Sequence, residues 1–222
     1  MAIINHTYGF IFVHIPKTAG SSVTKYLAAY QGEKDLVIGV TQRGNETLNR
    51  VRGLGLNKHS TCTEIQNYLG ERVFAQYFKF VIIRNPYSRA YSIYKFLKTK
   101  YRKWTNSEIM DTFETFEEFI QSDFFQSSGP DRIFNPQSYW LPPSKSAFSI
   151  SIFNGRLETL EGDLSQLIKL IGLPQVNPEK VLESINVSSG EADWREVIND
   201  PLTKKIIQKK FSEDFTRFGY KF

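Results

Sequence analysis

The residues best suited to chemistry lie in the stretch FVHIPKTAGSSVTKYL, residues 12–27. An apolar segment runs into a turn of small residues, and the turn runs into a segment with helical periodicity. Lys17 sits in the turn, followed by Thr18, Ala19, Gly20, Ser21 and Ser22. Backbone N–H groups of such a turn, together with a helix N-terminus, wrap an anion, and a lysine adds a positive point charge. The pattern is not the usual triphosphate loop, G-x-x-x-x-G-K-[ST]. Aligned from its last residues, Gly20 takes the second glycine's place and Ser22 the Ser/Thr place. Ser21 stands where the lysine belongs, and the lysine has moved to Lys17.

A second strand-like run, FKFVIIR (78–84), ends in Arg84. In nucleotide triphosphatases a second strand ends in an aspartate that helps hold magnesium. A cation in that place repels a metal and attracts another anion, so no metal site is expected. Asn85-Pro86 opens a helix, with proline tolerated in the first turn. Ser88 and Ser92 are spaced i, i+4 on it and share a face. Arg84 and Ser92 are expected to grip one phosphate from two sides. Two anion sites without magnesium describe a nucleotide with phosphate-like groups at two places, and 3′-phosphoadenosine 5′-phosphosulfate (PAPS) fits.

The elements that must carry these residues follow from the hydrophobic pattern. GFIFVHI (9–15), LVIGV (36–40), FKFVIIR and FSISIF (148–153) read as strands. Helices are expected over 21–30, from the capping-box spacing of Thr61 and Glu64 through Leu69, from Pro86 to about Tyr101, and over 113–121. Leu160, Leu164, Leu167, Ile168 and Ile171 form a helix face that Gly172 and Pro174 end. A last helix starts at Asp200-Pro201 with Ile207, Phe211, Phe215 and Phe218 on one side. Residues 41–58 are polar and punctuated by glycine, so a loop is expected there; 126–146 reads as irregular. Strands alternating with helices predict an α/β fold, a parallel sheet flanked by helices, in which ligands sit beyond the carboxyl ends of strands.

The whole chain, 1–222, is expected to form a single domain, since 222 residues bury a sizeable core. One cysteine, Cys62, excludes an internal disulfide framework. The first 15 residues lack the basic flank and long apolar run of a signal peptide, and no segment approaches the roughly 20 apolar residues of a membrane span. A cytoplasmic location is therefore expected. The net charge of +5 suits anionic ligands; nucleic acid is not expected as a partner.

These motifs resemble those of the PAPS-dependent sulfotransferases, especially the branch containing carbohydrate sulfotransferases. The stretch PKTAGSS is similar to that superfamily's 5′-phosphosulfate loop. RNPYSRAYSIY is similar to its 3′-phosphate motif, in which the arginine and the serine eight residues later bind the phosphate. KHSTCTEIQNYL, FNGRLETLEGDL and FSEDFTRFGYKF are further points of likeness. The resemblance runs from about residue 10 to 222. It implies a sulfotransferase fold of the P-loop nucleotide-kinase kind and PAPS as sulfuryl donor. It further implies a hydroxyl-bearing acceptor, a carbohydrate by the likeness to that branch, and a metal-independent in-line transfer. Lys17 and the loop amides would serve where kinases need magnesium.

An alcohol nucleophile calls for a general base. His6 lies in a polar N-terminal stretch and reads as incidental. His14 ends the first strand, where it is either near the chemistry or structural packing. His59 lies just before the capping-box helix, whose N-terminus disfavours imidazolium and so keeps the ring able to accept a proton. His59 is the base this reading prefers; His14 or a carboxylate stays open. On the acceptor side, KFLKTKYRKW (95–104) is basic, Tyr139 and Trp140 are candidates for stacking on a sugar, and Arg156 is placed to bind nucleotide or to pair with Glu158. Phe113, Phe116 and Phe119 have helical spacing and read as core. Two other functions fit parts of the pattern. One is a magnesium-dependent nucleotide kinase, opposed by the position of Lys17 and by Arg84. The other is a non-catalytic module for nucleotides or polyanions, which would need no base.

Overall fold

Among the described residues, five short strands hydrogen-bond into one mixed sheet. The computed structural model describes residues 2–39, 42–100, 107–127, 132–143, 151–174 and 194–221. Strands β1 (Ala2–Asn5), β2 (Phe10–Phe12), β3 (Leu36–Ile38), β4 (Phe78–Ile83) and β5 (Ile152–Arg156) lie in the order β3-β1-β2-β4-β5. β2, β4 and β5 are parallel neighbours, whereas β1 runs antiparallel to both β2 and β3. The helices are α1 (Gly20–Leu27), α2 (Gln42–Val51), α3 (Cys62–Leu69), α4 (Glu71–Gln76), α5 (Pro86–Lys100), α6 (Ser107–Asp111), α7 (Phe116–Gln121), α8 (Asp123–Gln126), α9 (Leu160–Ile171), α10 (Trp194–Val197), α11 (Pro201–Lys210) and α12 (Ser212–Phe218).

The expected parallel sheet is thus mostly parallel, with one strand that the pattern did not foretell. AIIN is only four residues long, and what makes it a strand is the turn after it. Gly9 turns the chain at φ 66°. The buried Asp35 carboxylate accepts from Asn5 Nδ2 and from the main-chain N–H groups of His6, Thr7 and Gly32, tying the turn to the entry of β3. The loop expected over 41–58 is instead helix α2 for most of its length. Among its described side chains the buried ones are Gly44, Thr47 and Val51, spaced i, i+3, i+7, and two of these three are not apolar enough to announce a helix face. The strand expected over 148–153 begins at Ile152 and runs to Arg156; residues 144–150 lie outside the described ones, as does the end of the basic stretch, 101–104.

The chain packs as two compact units, Met1–Ile83 with Tyr139–Ser189, and Arg84–Ser138 with Gly190–Phe222. The first holds the sheet. Phe10, Phe12, Phe80 and Ile82 pack against Val23, Tyr26 and Leu27 of α1 and Leu160, Leu164, Leu167 and Ile168 of α9. Ile11, Val81 and Ile83, which alternate with them, are buried as well, so both sheet faces are covered. Gly172, at φ 74°, ends α9 where expected. The second unit is helical around an aromatic core that includes Phe116, Phe119, Phe125, Phe134, Phe211 and Phe215. Each fully buried ring is worth about 1.5–3 kcal/mol of transfer free energy. The last helix breaks at Phe211 into α11 and α12, and Asp200 caps α11 by accepting from Thr203 N–H at 2.7 Å.

Candidate active site

In the first unit, β2 leads into the candidate anion loop. The ladder extends one residue past the strand, with Val13 N–H donating to the Phe80 carbonyl at 3.0 Å. The chain then turns sharply. Lys17 and Ala19 both sit in left-handed backbone conformations, at φ 70° and 61°. Side chains other than glycine adopt that region at a cost, and such positions collect at ligand-binding turns. Thr18 is fully buried and spends its hydroxyl on the Ile15 carbonyl at 2.9 Å, so the loop is braced from within. What Thr18 has to offer an anion is its backbone N–H. Gly20 opens α1, Ser21 is exposed, and Ser22 and Lys17 are half-buried.

Gly20 has a specific reason to lack a side chain. A Cβ there would lie 1.8 Å from Cδ2 and 2.0 Å from Nε2 of His14. The His14 ring, which stacks on Phe12, therefore rests against the first residue of the helix that follows the anion loop. The same residue reaches His59 on its other side. The two imidazole centroids are 4.5 Å apart, and His59 Nδ1 donates to the His14 carbonyl oxygen at 2.9 Å. A carbonyl only accepts, so Nδ1 carries the hydrogen, and in the neutral ring Nε2 then carries the lone pair. His59 is fixed along its main chain too. Its N–H donates to Asn57 Oδ1 at 2.8 Å, and its carbonyl accepts from the Trp140 indole at 2.9 Å. The capping box read from the sequence is present immediately after it: Thr61 Oγ1 accepts from Glu64 N–H, and the Glu64 carboxylate accepts from Thr61 N–H.

Trp140 is thus not a sugar platform. It is fully buried, and its indole N–H has found the partner that burial demands. Tyr139 beside it is 43 % exposed and keeps its ring accessible.

Burial holds the His14 pKa well below the usual imidazole value. Its folded-state pKa is below that of the unfolded chain, so acid drives unfolding: the unfolded ring takes up a proton that the folded ring refuses. Stability from this group is full above about pH 6.5 and falls below it with a slope approaching 1.4 kcal/mol per pH unit. The melting temperature is expected to drop more steeply between pH 6.5 and 5 in the wild type than in His14→Gln. Parallel curves would mean that His14 charges freely in the folded state.

In the second unit, Arg84 and α5 form the other candidate region. Arg84 Nε donates to Ser88 Oγ at 2.8 Å, which turns the guanidinium toward the serine face of α5. Ser92, one turn further on, is buried. Asn85 caps the helix, its Oδ1 accepting from Tyr87 N–H at 3.0 Å. The main chain of Arg84 is held at both polar atoms by one side chain: its N–H donates to Gln137 Oε1 and its carbonyl accepts from Gln137 Nε2, each at 2.8 Å. Asp214, fully buried, in turn accepts from Gln137 N–H and Ser138 N–H at 2.7 and 2.8 Å. Arg89, also buried, donates to the Ile133 and Asn135 carbonyls and has its pKa lowered to about 10 by burial.

Phe116 and Phe119 are core, as their spacing implied. Arg156 ends β5 half-buried, with its main-chain N–H donating to Asp163 at 2.6 Å. Among the described residues no group of three or more His, Cys, Asp or Glu side chains is placed to hold a metal ion, and no helix is long and apolar enough to cross a membrane.

The described fold is thus an α/β sheet in which one parallel strand runs through a lysine-bearing turn into a helix and the neighbouring strand is followed by Arg84. The chain belongs to the sulfotransferase family, whose model matches residues 1–221. It is similar to an uncharacterised protein of Archaeoglobus fulgidus, 30 % identical over 111 residues, which cover 50 % of this chain and 81 % of that one. No solved structure matches it significantly. Sulfuryl transfer is the chemistry of the family, and the acceptor is of hydroxyl type.

Proposed function

We propose that the chain, acting over 1–222 as one sulfotransferase domain, moves a sulfuryl group from PAPS to a carbohydrate hydroxyl without a metal. The observation that carries this is the double role of His14, whose carbonyl orients His59 and whose ring rests on Gly20 at the end of the anion loop. A proton acceptor and an anion loop are thereby built as one piece, which a passive binding module does not need.

The donor supplies an activated sulfuryl group on a 5′-phosphate that leaves. Lys17 and the main-chain N–H groups of Thr18, Ala19, Gly20, Ser21 and Ser22 hold the 5′ end and stabilise charge on the leaving oxygen. Arg84 and Ser92 take the 3′-phosphate; a guanidinium and a hydroxyl on adjoining segments suit it. The acceptor oxygen forms the new bond to sulfur, the bond from sulfur to the 5′-phosphate oxygen breaks, and the hydroxyl proton passes to His59 Nε2. The products are the sulfate ester and 3′,5′-adenosine bisphosphate. The exposed ring of Tyr139 supports a sugar acceptor, because an aromatic face stacks on the apolar face of a pyranose.

The test is twofold. The bisphosphate product is expected to raise the melting temperature, since a ligand at about 100 times its Kd adds roughly 2.7 kcal/mol, and magnesium-ATP is expected to do less because it lacks a 3′-phosphate. Labelled PAPS is then offered with neutral sugars, glycosaminoglycans and phenols in the presence of a chelator. Transfer to a sugar hydroxyl is the expected result. A larger shift with magnesium-ATP would favour a kinase, and transfer confined to phenols would remove the carbohydrate.

A further inference from the structure

We infer that Gln137, held by Asp214, is the positioning residue for Arg84, and that this clasp sets the preference for a 3′-phosphorylated nucleotide. The inference rests on the proposed role of Arg84 in binding the 3′-phosphate.

A carboxamide presents an N–H donor and a carbonyl acceptor side by side without needing to be protonated, so Asn or Gln can satisfy both the N–H and the C=O of one residue. Gln137 does this for Arg84 with two bonds of 2.8 Å, in the manner of an adjoining strand. Two bonds fix the rotation of the main chain about Arg84, where one would leave it a hinge. The orientation of the amide is fixed as well. Its Nε2 also faces Asp214 Oδ2 at 3.3 Å, which a carboxamide oxygen in that place would repel. Asp214 has no exposed surface, and its two oxygens collect three N–H groups, from Gln137 N, Gln137 Nε2 and Ser138 N. Arg89 fixes the approach to Gln137 by taking the carbonyls of Ile133 and Asn135. A buried acid with that set of partners is costly to install for stability alone. Its effect is to hold one glutamine, and through it one arginine whose Nε is already set against Ser88.

Gln137→Met keeps the length of the side chain and removes both bonds to Arg84. It is expected to lower the ratio of affinities for 3′,5′-adenosine bisphosphate over AMP by about tenfold, the scale for disturbing a hydrogen-bonded charge, while AMP affinity stays near wild type. Asp214→Asn, which presents an NH2 group to N–H donors, is expected to move the ratio in the same direction. Both ratios come from calorimetric titration at a temperature where circular dichroism shows the variant folded. If Gln137→Met does not fold, Asp214→Asn carries the comparison. A folded variant with the wild-type ratio overturns the clasp and leaves the donor assignment standing. Equal wild-type affinity for the two nucleotides overturns the 3′-phosphate role of Arg84, and the inference with it. Equal losses for both nucleotides mean a general structural role and also overturn it.

Discussion

Replacing His59 by alanine is expected to lower sulfuryl transfer about 10²- to 10⁴-fold at saturating donor and acceptor, the range for losing a general base. Affinity for 3′,5′-adenosine bisphosphate should stay as in the wild type, because the loop is braced from within by the Thr18 hydroxyl on the Ile15 carbonyl. The ring instead hangs from the loop side, by its Nδ1–H on the His14 carbonyl. That bond assigns the tautomer and leaves Nε2 as the basic atom. Transfer should therefore also fall in acid as the ring takes its proton, with donor affinity changing little. The control is His14→Gln. His14 is buried and held neutral, so its own ring is sterically withdrawn from an acceptor, but its contact with Gly20 makes the loop depend on it. His14→Gln should lose stability and nucleotide affinity together with turnover. Near-normal transfer by His59→Ala, alongside a collapse in His14→Gln at unchanged nucleotide affinity, would move the base to His14. Normal turnover in both would point to a carboxylate.

Much of this arrangement is legible in the sequence because it is local. The strand, turn and helix around Lys17 are contiguous, and so are β4, Arg84 and the helix that Pro86 begins. Thr61 and Glu64 announce their capping box by spacing alone. The parts that stay hidden depend on residues far apart in the chain. Nothing in QSYW shows that Trp140 will donate to the carbonyl of His59, 81 positions away. A tryptophan in a Pro-flanked loop reads as a platform until its burial is known. Gln137 and Asp214 are separated by 77 positions, so their pairing is equally invisible. One clue did exist. Asp214 falls three residues after Phe211 and four before Phe218, on the apolar side of the last helical segment, where a carboxylate must find buried donors or not be there at all. An acid on an apolar stripe is a better signal than a histidine in a loop. The antiparallel β1 escaped for the opposite reason. Its four residues are too few for a pattern, and its place comes from the donors gathered by Asp35.

Lys17→Ala is expected to cost about 10²- to 10³-fold in turnover, the scale for removing one preorganised group that meets developing charge, with a smaller loss of donor affinity. The charge on the leaving 5′-phosphate oxygen grows as the bond to sulfur breaks, so an ammonium beside it favours the transition state over the ground state. The backbone supplies a means of separating this effect from folding. Lys17 occupies a left-handed conformation at φ 70°, which costs an L-residue roughly 1–2 kcal/mol and costs glycine almost nothing. Lys17→Gly should therefore fold at least as stably as the wild type while losing turnover as severely as Lys17→Ala. A lysine at a strained position, where glycine would be the more stable choice, supports the proposal that its charge is what matters there. Steady-state rates and melting temperatures of the two variants decide the matter. If Lys17→Gly is more stable and inactive, the ammonium is the chemical element of the loop. If either folded variant turns over at the wild-type rate, the main-chain N–H groups of the loop carry the transition-state charge by themselves, and Lys17 serves only to attract the donor.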